Sequence, residues 1–114
     1  MIKFLILISM IATSLGTLAS TPTRVRFERI SKTERPREFW VKNVLLEVDG
    51  EFYRIKDSEI NKRRICKDLG FKKAGGSRVE FGADEVVVSV GPNFKIMREL
   101  GPDQDFIMNL NCFR

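Results

Sequence analysis

The sequence predicts an α+β domain in which a mostly antiparallel sheet covers one main helix. Three observations predict it. Residues 57–71 carry the start and stop signals of a single helix, from Asp57-Ser58 to Gly70-Phe71. Asp49-Gly50 lies between two runs of alternating apolar and polar residues, the mark of a two-residue hairpin. After Val79 the text is strand-like, with Val86-Val87-Val88-Ser89-Val90 and Phe106-Ile107-Met108-Asn109-Leu110 separated by glycine–proline turns. Strands flanking one helix give an α+β arrangement.

The chain divides into three parts. Residues 1–19 read as a Sec-type signal peptide: Met1-Ile2-Lys3 is a short basic start, Phe4 to Ala12 is a nearly unbroken apolar run, and Thr17-Leu18-Ala19 supplies small residues for cleavage. The apolar run is short for a membrane span and no cysteine follows it, so no stable anchor is expected after cleavage. Residues 20–38 are a basic edge strand or a flexible arm. In this part Val25 and Phe27 alternate with Arg24, Arg26 and Glu28, and Glu34-Arg35-Pro36-Arg37 makes a loop. Residues 39–114 form the small domain.

Across the Asp49-Gly50 turn, Val48 is expected opposite Glu51, Leu46 opposite Tyr53 and Val44 opposite Ile55 on one face, joined by Trp40. Leu45, Glu47, Phe52 and Arg54 take the other face. Trp40 and Tyr53 read as core or rim residues. The helix then runs from its Ser58 or Asp57 cap to about Leu69, with Ile65, Cys66 and Leu69 on one face. Gly70 adopts the left-handed conformation and Phe71 packs back toward Cys66. Lys72-Lys73-Ala74-Gly75-Gly76-Ser77-Arg78 is expected to be a flexible basic loop, without the spacing of a P-loop. Gly91-Pro92-Asn93 and Gly101-Pro102-Asp103 are turns. In the last strand Phe106, Met108, Leu110 and Cys112 share one face, and Ile107, Asn109 and Asn111 the other.

Export decides how the cysteines are read. In an oxidising compartment the only two, Cys66 and Cys112, are expected to form one intramolecular disulfide. The chain holds no histidine, so a zinc site is not expected and the usual general base of hydrolases is missing. No metal and no cofactor are expected. Charge is uneven: residues 54–78 hold nine basic and three acidic residues, and residues 79–114 hold three basic and six acidic. A cationic middle segment suits a polyanionic partner or an anionic surface.

The run Ile65-Cys66-Lys67-Asp68-Leu69-Gly70-Phe71 resembles the V-C-R-Q-L-G-F signature of scavenger receptor cysteine-rich (SRCR) domains. Phe81-Gly82 before Val86-Val87-Val88 is similar to that family's F-G segment, and Gly50-Glu51-Phe52-Tyr53-Arg54-Ile55 to its G-x-W-G-T-V stretch. The resemblance covers roughly residues 44–112. It implies a curved sheet cradling the helix, a helix cysteine paired with the last cysteine, and binding of proteins or polyanions. Of the family's acidic cation-binding cluster only Asp57 stands near the expected place, and two cysteines stand where members carry six or eight.

The function expected is therefore a secreted or periplasmic, non-enzymatic binding module. Its basic surface comprises Lys62, Arg63, Arg64, Lys67, Lys72, Lys73 and Arg78, and its ligand is a polyanion of the heparin or lipopolysaccharide kind, or an extracellular or periplasmic protein. One alternative is an exported structural or inhibitory partner protein of the cell envelope, acting through the apolar strands Val86 to Val90 and Phe106 to Leu110. Another is a small hydrolase using a carboxylate pair drawn from Asp57, Asp84, Glu85, Asp103 and Asp105. Export sets intracellular nucleic acid aside as a partner.

Overall fold

Among the residues described by the computed structural model, 23–101 and 103–114, the chain forms nine strands and one α-helix. The expected signal peptide, residues 1–19, and Pro102 of the expected Gly101-Pro102-Asp103 turn lie outside the described residues. In chain order the elements are β1 (Arg24–Arg26), β2 (Arg29–Lys32), β3 (Glu38–Lys42), β4 (Leu45–Val48), β5 (Glu51–Ile55), α1 (Glu59–Asp68), β6 (Lys73–Phe81), β7 (Val86–Val90), β8 (Ile96–Leu100) and β9 (Asp105–Phe113). The α+β class is seen at the level of one helix with strands. The single curved sheet is corrected to two sheets. One has the order β1-β4-β5-β7-β8, the other β2-β3-β9-β6. Only β5 and β7 pair in parallel.

Two sheets arise because the first four strands form one long hairpin bent at its middle. β2 pairs with β3 in the four-stranded sheet, and β1 pairs with β4 in the five-stranded one. At the bend Asn43 takes φ 58°, a left-handed conformation that asparagine tolerates better than most residues. Its N–H donates to Asn109 Oδ1 at 3.0 Å, and the next N–H, of Val44, donates to Met108 O at 2.9 Å. A strand that turns a corner in this way can serve two sheets. Val44 is thereby diverted from the expected ladder with Ile55, whereas Leu46↔Tyr53 and Val48↔Glu51 pair as predicted. The turn itself has φ 52° at Asp49 and 82° at Gly50, the geometry this dipeptide favours.

The seam between the sheets is closed by Arg54. It lies on the face assigned to it, yet it is buried at 7% exposure. Its Nε donates to Glu85 Oε1 at 2.9 Å, and its Nη1 donates to Asn43 Oδ1 and to Val44 O, both at 2.9 Å. The guanidinium carbon stands 5.1 Å from the centroid of the Phe106 ring. A buried cation is tolerable only when paired and hydrogen-bonded, and here it is both.

The helix forms as its caps direct. Ser58 accepts from the Asn61 N–H at 3.1 Å. At the other end Gly70 has φ 92°, its N–H donates to Lys67 O, and the Phe71 N–H donates to Cys66 O. Those two bonds define a Schellman motif and satisfy carbonyls that the helix end would otherwise leave free. Ile65 and Cys66 are fully buried and Phe71 nearly so; they join Val41, Leu46, Ile55, Val88, Leu110 and Cys112 in one core shared by both sheets. Cys66 and Cys112 are disulfide-bonded with Cα atoms 5.6 Å apart, tying α1 to β9.

Two further expectations are corrected. Residues 73–78 are not a loop but the start of the nine-residue edge strand β6. Its pairing with β9 is irregular between Ala74 and Ser77, where Gly75 and Gly76 sit. A Cβ on Gly75 would collide with the Asn111 side chain and the Phe113 ring, so Gly75 serves close approach rather than flexibility, whereas a Cβ on Gly76 would meet open space. The clean alternation expected of β9 also fails. A second irregularity, between Arg78 and Val79 of β6, shifts the phase of β9, and Phe106, Ile107, Leu110, Asn111 and Cys112 are all buried.

Candidate functional site

Residues Ile60, Arg63, Arg64 and Lys67 are spaced i, i+3, i+4 and i+7 on α1, so they line one face of the helix. The Schellman turn brings the chain back beside that face and sets Lys72 and Lys73 against it. Together these six residues line a depression of about 320 Å³. Five of them are cations, and no carboxylate lines the depression. The ion pairs among the described residues involve none of the five.

The cations are not equally mobile. Arg64 is half-buried, and its Nη1 donates to Val90 O at 3.0 Å, which fixes the guanidinium at the rim. It also borders a neighbouring hollow with Lys67, Asp68, Asn93 and Phe94. Arg63, Lys67, Lys72 and Lys73 are exposed. Lys73 Nζ stands 5.5 Å from the centroid of the Phe113 ring, a cation–π distance.

Two of the seven basic residues expected at the site stand elsewhere. Lys62 is buried at 8% exposure, and its Nζ contacts Glu59 Oε2 at 2.6 Å. It sits three and four residues before Ile65 and Cys66, hence on the core face; that periodicity is present in the sequence. The Lys62 ammonium hydrogen-bonds and neutralises Glu59, which holds the Glu59 carboxyl below its ordinary value. Arg78 lies across the four-stranded sheet from the helix, in a separate hollow shared with Arg29, Lys42, Glu28 and Glu80. The alternation of β6 sends it to the outer face, a consequence hidden while residues 73–78 read as a loop. Ile60 is the lining residue the sequence reading missed; its place four residues before Arg64 was the available signal.

The candidate carboxylates do not gather. Asp57 accepts from Ser77 Oγ at 2.8 Å and Glu85 from Arg54, so both are held by structural partners. Asp84, Asp103 and Asp105 are exposed at turns or a strand start. Of the apolar strands Val86 to Val90 and Phe106 to Leu110, offered by the sequence as a contact surface, Val87, Val88, Val90, Phe106, Ile107 and Leu110 are buried in the fold, while Val86 is exposed. Among the described residues Phe81 and Met97 are the most exposed large apolar side chains, at 64% and 62%.

Compared with protein-family models, curated proteins and solved structures, the chain matches none.

Proposed function

We propose that this protein is an exported, non-enzymatic binding module for a polyanionic ligand, held in the depression between α1 and the start of β6. The observation that carries the reading is the convergence of Arg63, Arg64, Lys67, Lys72 and Lys73 on one hollow without a neutralising carboxylate. Like charges placed side by side on a helix are destabilising, so a cluster left uncompensated is a cost that a bound anion removes. Arg64, fixed by the Val90 carbonyl, supplies a preorganised donor, and the exposed lysines adapt around it. A disulfide in a domain this small fits an oxidising compartment, which supports export.

The test is direct binding of inorganic polyphosphate and of heparin to the intact protein at low and high salt. Affinity is expected to fall steeply as ionic strength rises, because exposed charges are screened over about 10 Å at 0.1 M. Binding that is indifferent to salt, or no binding of either polyanion, contradicts the proposal.

A further inference from the structure

The face of the four-stranded sheet turned away from α1 carries two aromatic rings, Trp40 and Phe113, with Lys42 and Lys73 near them; at its far end Lys42 shares a hollow with Arg29, Arg78, Glu28 and Glu80. Strand register fixes which side chains share the face. Phe39 and Ala74 lie opposite Cys112 and face the helix with it, so Trp40, Asn111, Phe113 and Lys73 point the other way. Trp40 and Phe113 sit diagonally on neighbouring strands, since Trp40 pairs with Asn111 and Glu38 with Phe113. Both rings are half-buried. Lys42 Nζ stands 5.8 Å from the Trp40 ring and Lys73 Nζ 5.5 Å from the Phe113 ring. Beneath them Gly75 has no Cβ, which lets Phe113 lie low across β6. Lys73 also lines the basic depression, so the ring-bearing face runs into that depression without a break.

From this placement we infer that the ligand is an acidic polysaccharide, whose sugar rings rest on Trp40 and Phe113 while its anionic groups meet Lys42, Lys73 and the depression. The inference rests on the polyanion reading above and names the ligand class. A pyranose offers a C–H face for an aromatic ring and carries its carboxylate or sulfate at the rim, within reach of a lysine beside that ring. A nucleobase stacks instead on an open aromatic face. Lys42 Nζ and Lys73 Nζ, 5.8 Å and 5.5 Å from the two ring centroids, are placed to meet such a rim group.

Trp40 is the only tryptophan in the chain, so fluorescence of the intact protein reads this face directly. Oligogalacturonate, inorganic polyphosphate and oligo(dT) are titrated in parallel, with affinity followed independently by calorimetry. The expected result is that oligogalacturonate binds and shifts or quenches Trp40 emission, whereas polyphosphate binds with the emission unchanged. Trp40→Ala is expected to weaken oligogalacturonate about fivefold and leave polyphosphate unaffected. Should that variant fold poorly by circular dichroism, Lys42→Gln gives the same discrimination with a smaller loss. Oligogalacturonate binding without a change in Trp40 emission overturns the inference and leaves the polyanion reading intact, as does binding of polyphosphate alone. A larger emission change with oligo(dT) assigns the face to nucleic acid and overturns it. Failure of all three to bind overturns both readings.

Discussion

Arg54 and the cations of the depression are the same chemistry put to opposite uses. Arg54 is buried and donates to a carboxylate, a side-chain amide and a backbone carbonyl. Arg63, Lys67, Lys72 and Lys73 are exposed and enter no ion pair among the described residues. The first cation holds two sheets together, and its loss exposes unmet acceptors. Of the others, Lys73 stands near the Phe113 ring and Lys67 in the last turn of α1, exposed contacts of small energy. Cations that the fold neutralises report on stability, and the cations that it leaves open are those proposed to meet a ligand.

The sharpest way to disturb that division is to loosen the helix on which the open cations stand. Cys66→Ser with Cys112→Ser removes a closure of 46 residues in sequence, worth about 4 kcal/mol in the chain-entropy model. Urea unfolding at neutral pH is expected to show a loss of that order, with weaker polyanion binding as α1 loses its tie to β9. Next comes Arg54→Leu, expected to cost about 3 kcal/mol because Glu85, Asn43 Oδ1 and Val44 O lose their donor. Polyanion affinity of the fraction that remains folded is expected to stay unchanged. Ser58→Ala, which removes the N-cap acceptor, is expected to cost about 1 kcal/mol. Smallest is Glu59→Gln. The folded-state carboxyl of Glu59 is depressed by Lys62, so its contribution is present at neutral pH and fades as the pH falls through the carboxylate range. The stability difference between wild type and Glu59→Gln is therefore expected to vanish in acid, read by thermal unfolding across pH.

Much of the local structure was legible in the sequence because local chemistry dictates it. Ser58, Gly70 and Phe71 cap the helix, and Asp49-Gly50 turns the hairpin, through interactions confined to a few neighbours. The disulfide was legible because only one pairing exists. The division into two sheets was not. It depends on Asn43 turning a corner against Asn109, sixty-six residues away. The strand character of residues 73–78 was hidden for a similar reason: Gly75 and Gly76 read as a loop until Asn111 and Phe113 are seen to need the missing side chain of Gly75. At the candidate site, helical spacing places Arg63, Arg64 and Lys67 together and puts Lys62 in the core. Only the fold shows that Lys72 and Lys73 return to the same hollow, and that Arg78 does not.

The central proposal is that the open cations bind a polyanion and contribute little to folding. Its most direct test is the quadruple variant Arg63→Gln, Lys67→Gln, Lys72→Gln, Lys73→Gln, measured for polyphosphate affinity against salt and for stability in urea. The account predicts that the steep salt dependence and most of the affinity disappear, while stability changes by less than about 0.5 kcal/mol or rises as repulsion is relieved. A variant that binds as tightly as the wild type, with the same salt dependence, would contradict it.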